Sequence, residues 1–217
     1  MSLSIPLGPH DPRHRPAQEL PGGLGLSLLR ARVHEVCGGA RWVFAAWLMA
    51  HSQGPVLWIS PGWLPERVYP PGLAVHADPG RIVFARARRP EDLLWAAEEA
   101  LRSGAVPLVL CDLVALPGLT PVRRLHLAAG AGAEAAHHRG RLPPLGVVMT
   151  PGMGGAQGVE SRWHLAPAPS GSTLLERRAA WRLTRLRARM APHATWLFSQ
   201  EAGGGLQAVA VADTMET

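Results

Sequence analysis

The sequence predicts an α/β fold, a mostly parallel sheet flanked by helices with an antiparallel extension near the C-terminus. Short apolar runs alternate with helical segments as far as Thr150, a pattern that buries a sheet on both faces. Those runs are apolar throughout rather than alternating, as strands covered on both sides require. Beyond Gly158 the helical segments stop and strand-like segments follow one another. With 217 residues, 47% of them hydrophobic, the chain can bury one substantial core. The expected organisation is a tail over 1–20, one domain over 21–200 and a second tail over 201–217.

Each element has a local reason. Gly22–Gly25 forms a turn, and Arg32–Cys37 reads as a strand that breaks at Gly38-Gly39. Arg41–His51 carries Trp42, Ala45, Ala46 and Met49 at helical spacing. Pro55–Ile59 is a buried strand, Pro61–Ala77 is rich in Pro and Gly and mostly irregular, and Arg81–Ala85 is another strand. Pro90–Ser103 is the clearest helix. Pro90 sits where a missing N–H costs nothing, Glu91 and Asp92 suit the N-terminal dipole, and Gly104 ends the helix. Leu93, Leu94, Ala97 and Leu101 form its apolar stripe. Val106–Cys111 is a strand running into Asp112, Pro121–Arg139 a long helix and Leu145–Thr150 a buried strand. Ser161–Ala166, Trp181–Met190 and Thr195–Ser199 then suit the antiparallel extension at one sheet edge.

Composition narrows the function classes. No run of about 18 apolar residues occurs, so no membrane span is expected. The N-terminus has no apolar core of a secretory signal. Cys37 and Cys111 are the only cysteines and lack metal-site spacing, so a cytoplasmic protein with buried thiols is expected, with no metal and no cofactor. The formal charge is +6, all 22 basic residues are Arg, and the chain contains neither Lys nor Asn. A basic surface favours nucleic acid or an acidic protein partner, although abundant Ala, Gly, Pro and Arg together also fit a GC-rich coding sequence.

The order of elements resembles the RecA core, and Ala100–Val114 (ALRSGAVPLVLCDLV) is similar to its passage from helix to Walker B strand. Closer still is the ImuA family of RecA-related proteins. Val33–Gly39 (VHEVCGG), Val56–Ser60 (VLWIS), Val68–Val106 and Arg123–Ala133 (RRLHLAAGAGA) carry that resemblance, which spans about Pro21–Gln200. It implies a role in damage-induced, error-prone translesion synthesis. The implied partners are ImuB, a Y-family polymerase relative, and an error-prone DnaE-type polymerase.

A phosphate loop needs G-x-x-x-x-G-K-[ST], so that backbone N–H groups wrap the phosphates, Lys neutralises charge and a hydroxyl holds Mg²⁺. Here the corresponding stretch is Cys37-Gly38-Gly39-Ala40-Arg41-Trp42. It is several residues too short, offers Arg41 in place of Lys, and puts Trp42 where the hydroxyl belongs. Ser60-Pro61 stands where the resemblance would put a water-positioning carboxylate. Asp112, at the Walker B position, is the remaining member of the set. Gly38, Gly39, Arg41 and Asp112 are therefore expected to form a degenerate nucleotide site without catalytic residues. A helix N-terminus after Gly39 still offers an anion some attraction, and Asp112 has a plainer alternative role, capping a loop.

The candidate partner- or DNA-binding surface is the run Arg177, Arg178, Arg182, Arg185, Arg187 and Arg189, a strip of guanidiniums for phosphates or acidic side chains. In a strand, Trp181, Leu183, Arg185, Arg187 and Arg189 would share one face. The plain alternative is a solvated edge strand whose charges deter aggregation. Arg86, Arg88, Arg89, Arg123 and Arg124 are further candidates for a basic face. Glu98-Glu99 read as a solvated helix face, the scattered histidines as solvated or helix-end groups, and Gly152–Gly158 as a flexible linker or a DNA-contacting loop. The leading expectation is a non-catalytic adaptor. Its rivals are a SulA-like inhibitor that binds the tubulin-like division protein, a residual nucleotide-dependent enzyme and a single-stranded DNA-binding protein.

Overall fold

The computed structural model describes residues 16–169, 179–189, 191–201 and 205–211. A nine-stranded sheet holds the chain together, in the order β11-β10-β9-β8-β3-β7-β6-β4-β5. In chain order, β3 (Val33–Cys37) leads through α1 (Arg41–Ala50) to β4 (Val56–Pro61). The short helix α2 (Pro70–Ala74) precedes β5 (Ile82–Ala87), and α3 (Pro90–Ser103) precedes β6 (Leu108–Asp112). Helix α4 (Leu119–His137) leads to β7 (Leu145–Thr150), and β8 (Ser161–Ala168), β9 (Ala180–Ala188), β10 (Ala194–Gln200) and β11 (Leu206–Val211) complete the sheet. Strands β3 to β7 are parallel. This is the mostly parallel, helix-flanked RecA-like arrangement with an antiparallel extension. The extension starts one strand later than the sequence predicts, because β8 runs parallel to β3 and only β9 turns back.

Helix α1 covers one face of the sheet and α3 and α4 cover the other. The α1 side is aromatic. Trp47 stacks on Phe198 at 4.9 Å and meets Trp181 edge-on at 5.4 Å, beside Phe44, Trp58, Trp163 and Trp196. The opposite core is aliphatic, built from Val33, Ile59, Leu93, Leu101, Leu125 and Val148. Helix α3 runs from Pro90 to Ser103 as predicted, and Gly104 closes it with φ +60°. Among the described residues no helix is long and apolar enough to cross a membrane.

Both predicted tails need correction. Ala17–Glu19 (β1) pairs with Ser27–Leu29 (β2), and Leu20 and Leu28 enter the aromatic core. Gln18 is buried and donates to the His51 carbonyl at 2.6 Å. Leu206–Val211 pairs with β10 along its whole length, so the last strand of the sheet lies within the second predicted tail. Residues 1–15, 202–204 and 212–217 lie outside the described residues. Chain 70–74 is also helical inside the stretch expected to be irregular.

The approach of α3 to α4 rests on Gly132. A Cβ built there would lie 1.8 Å from the Leu101 carbonyl oxygen. In an ordinary helix Gly→Ala adds about 1 kcal/mol of stability. Here the helices must part, so Gly132→Ala is expected to destabilise the fold by about 2 kcal/mol. The urea midpoint reads this directly, and an unchanged or raised midpoint would show that the helices have room to spare.

Candidate functional site

The residues expected to form a degenerate site lie at the carboxyl ends of the parallel strands, where open α/β sheets bind ligands. Strand β3 ends at Cys37, and Gly38 turns the chain with φ +94°. A side chain at Gly38 would meet the Leu165 carbonyl at 2.3 Å, so the turn is pressed against β8. Ala40, the residue capping α1, donates its N–H to that same carbonyl at 3.0 Å. An amide that a phosphate loop would offer to an anion is thus spent on the sheet.

The first turn of α1 then reaches Asp112. Arg41 Nε lies 3.4 Å from Asp112 Oδ1, and Trp42 Nε1 donates to Oδ2 at 3.0 Å. Each carboxylate oxygen has a donor from the first turn of α1. Burial raises the Asp112 pKa above the usual carboxylate range, against the opposing pull of Arg41 and Trp42, and Glu66 adds to the rise. Arg41 and Asp112 are thus in contact next to the Gly38 turn, with Gly39 exposed at the lip.

Beside them opens a cleft of about 770 Å³. Trp42, Trp58, Leu64, Val68, Phe84 and Val114 make it largely apolar, and Arg67 and Arg86 stand at its edge. Trp58 meets Trp42 edge-on at 6.3 Å and has a buried indole N–H without a hydrogen-bond partner. Arg86 donates to the Gly62 carbonyl and Arg67 to those of Leu64 and Glu66, so both are held by backbone. The arrangement offers an apolar slot with a floor already neutralised by the Arg41–Asp112 pair. Among the described residues no cluster of His, Cys, Asp or Glu is arranged to hold a metal ion.

The arginine strip does not stay together. Arg177 and Arg178 lie outside the described residues. Strand β9 skips a residue against β8, Arg162 pairing with Arg187 and Trp163 with Arg185. This bulge at Leu186 breaks the alternation and separates the arginines that one face was expected to share. Arg185 lies over Trp163 and Trp196, 5.6 and 5.1 Å from their ring centres, and burial lowers its pKa. Arg189 approaches Glu160 at 3.7 Å. Arg182 and Arg187 remain exposed on the face away from α1, and neither has an ion-pair partner among the described residues. The other basic candidates are also dispersed. Arg124 pairs with Glu98 at 2.8 Å and Arg89 with Asp92 at 3.0 Å, while Arg86 lies on the opposite layer from Arg124. Glu98 is buried between Arg102 and Arg124 rather than solvated.

Two buried polar groups went unpredicted. Glu35, on β3, is fully buried and takes hydrogen bonds from Thr150 Oγ1 (2.6 Å), Gly155 N (2.9 Å), Ala156 N (3.0 Å) and Arg162 Nε. It pins the Gly152–Gly158 loop, which is therefore an anchored loop and not a free linker. Arg30 is buried with a burial-lowered pKa, donating to the carbonyls of Pro107 and Pro143 and to Gln18 Oε1. The sequence signal for Glu35 is a carboxylate inside the short strand Val33–Cys37. His34, its neighbour, is neutral, its pKa pushed down to about 4 by burial; it accepts from Ser161 Oγ and donates to Leu29 O.

A comparison with protein-family models finds no match, and neither does a comparison with curated proteins.

Glu35 yields a pH prediction. Burial alone would raise its pKa, but the hydrogen bonds from Thr150, Arg162, Ala156 and Gly155 outweigh burial and hold it below its ordinary value. Its contribution is complete above the unfolded value and disappears as pH falls through the lower folded value. Glu35→Gln is expected to cost about 3 kcal/mol at pH 7 by leaving Arg162 without its carboxylate. Urea titrations should show the gap from wild type closing as the pH is lowered from the ordinary glutamate range through the lowered folded value. A gap that stayed constant with pH would remove the charge from the account.

Proposed function

We propose that this chain is an ImuA-like adaptor, a RecA-fold protein that binds a polymerase-family partner in error-prone translesion synthesis and does not turn over ATP. The observation that carries the proposal is the state of Asp112. The carboxylate that ends β6 is bound on both oxygens by Arg41 and Trp42. Phosphoryl transfer depends on positioned cations and donors around the phosphates. Here the Ala40 amide is committed to Leu165, and no Lys exists anywhere in the chain. The RecA-like sheet order and the motifs from Val33 to Ala133 support the family assignment. An ImuB-type polymerase relative is the proposed partner, with an error-prone DnaE-type polymerase in the same assembly.

ATP hydrolysis should stay at the level of a protein-free blank, and Mg-ATP should leave the melting temperature unchanged. Turnover that requires Mg²⁺ would overturn the non-catalytic reading.

The arginines of the C-terminal strands are the proposed contact. Deleting residues 170–217 is a poor test, because Trp181, Leu183, Trp196 and Phe198 belong to the core. The double substitution Arg182→Glu, Arg187→Glu leaves the core intact. It is expected to weaken capture of an ImuB-type protein about tenfold. Undiminished capture would take these two arginines out of the interface, and no capture by the wild-type chain would take away the partner.

A further inference from the structure

The cleft beside Asp112 has no part in the adaptor reading. It opens at the carboxyl ends of β4, β5 and β6, where Ser60, Arg86 and Asp112 line it. Its volume of about 770 Å³ falls within the roughly 300–1,000 Å³ of small-molecule sites. The register of the sheet orders its lining. Strands β4 and β5 run parallel, with Trp58 beside Phe84 and Ser60 beside Arg86. Side chains two residues apart share a face of a strand, so the aromatic pair is followed, about 7 Å further along, by the polar pair. Trp58 is buried and Phe84 is 49% exposed, which makes one ring the base of the cleft and the other its rim. Trp42 of α1 meets Trp58 edge-on at 6.3 Å and adds a third ring.

Charge decides what the polar end accepts. Arg41, Arg67 and Arg86 line the cleft against Glu66 and Asp112, three cations to two carboxylates, which leaves one positive charge unmatched. Arg41 is engaged by Asp112 at 3.4 Å. Arg67 donates to the Leu64 and Glu66 carbonyls through one nitrogen and Arg86 to the Gly62 carbonyl through one nitrogen. Their other N–H groups have no partner among the described residues, and a guanidinium held in this way presents a fork that suits a carboxylate. A single positive charge matches a single anionic group. A di- or triphosphate would bring several negative charges towards Glu66 and Asp112, and would find the Ala40 amide already bonded to Leu165.

We infer that the cleft is a binding site for a small aromatic carboxylic acid, its ring among Trp42, Trp58 and Phe84 and its carboxylate on Arg86. A fused ring joined to a carboxylate by a single carbon spans the step from the aromatic pair to Arg86. The three rings supply apolar area and edge-to-face partners for the ligand's ring, and Arg86 supplies the charge-assisted hydrogen bonds that orient it. The inference is independent of the adaptor reading, since it uses neither Arg182 nor Arg187, which lie on the other face of the sheet and several strands away.

Calorimetric titration of the full chain with 2-naphthylacetate is the test. The acid should bind about tenfold more tightly than 2-naphthylacetamide, which keeps the ring and removes the charge. Cyclohexylacetate, which keeps the carboxylate and removes the aromatic ring, should bind more weakly than the naphthyl acid by about fivefold. Arg86 is an exposed side chain on the edge strand, so Arg86→Gln should fold normally. In that variant the acid should fall to the affinity of the amide, while the amide binds as it does to the wild type, which also shows that the cleft is intact. A wild-type chain that does not bind 2-naphthylacetate, or that binds AMP more tightly, would overturn the inference. A preference for the acid that survives Arg86→Gln would overturn it as well.

Discussion

The turn Gly38-Gly39-Ala40 governs much of what this molecule can do. It joins the central strand β3 to α1 with no slack, and the hydrogen bond from Ala40 N–H to the Leu165 carbonyl stitches it to β8. Gly38 is the position that makes this possible. Its φ of +94° and its closeness to Leu165 leave no room for a side chain. With the turn pulled onto the sheet, the start of α1 lies close to the end of β6, and Arg41 and Trp42 reach Asp112. A longer loop would stand away from the strands and present its amides to solvent or ligand. The short one ties the Ala40 amide to the sheet, and the cleft beside it has an aromatic wall.

The contact of Arg41 and Trp42 with Asp112 has an electrostatic logic. A carboxylate at the foot of a partly apolar cleft is costly unless its charge is met. Burial raises the Asp112 pKa, while Arg41 and Trp42 pull the other way. The indole and guanidinium together donate to both carboxylate oxygens. The partial exposure of Arg41 limits the strength of its ion pair. The Trp42 hydrogen bond, shorter and directed at the other oxygen, fixes the carboxylate's orientation.

Much of the fold was legible in the sequence because its central strands are continuous apolar runs and its helices carry strong punctuation. Pro90, Gly104 and the stripe Leu93, Ala97 and Leu101 set the limits of α3 without ambiguity. The terminal strands were hidden for a physical reason. Ala17–Glu19 and Leu206–Val211 have weak local preference and owe their conformation to pairing and to contacts such as Leu20 and Leu28 with the aromatic core. Composition marks such segments as tails, while tertiary packing makes them strands. The bulge at Leu186 was equally invisible, since alternation across β9 reads the same with or without one skipped residue. At the site, Gly38, Gly39, Arg41 and Asp112 were grouped by resemblance to a motif, and the contact of Arg41 with Asp112 is what the structure adds. Glu35 and Arg30 were not legible, since a lone charge within a strand or turn gives no hint of the distant carbonyls and amides that will meet it.

The interior role of arginine also changes how the net charge should be read. Arg30 donates to two carbonyls, Arg162 to Glu35 and the Ala156 carbonyl, and Arg81 to the carbonyls of Met49 and Gly54. A planar fork with five donors suits such sites better than a compact ammonium, which fits a chain that has no lysine at all. Arg185 is withdrawn too, over Trp163 and Trp196. The formal charge of +6 therefore overstates the basic surface, because many of the cations that produce it are structural. What remains outward is sparse and placed by the sheet, as with Arg182 and Arg187 on the uncovered face of β9. Recognition by such a surface depends on the spacing of a few fixed charges and on the apolar ground between them more than on a broad positive field.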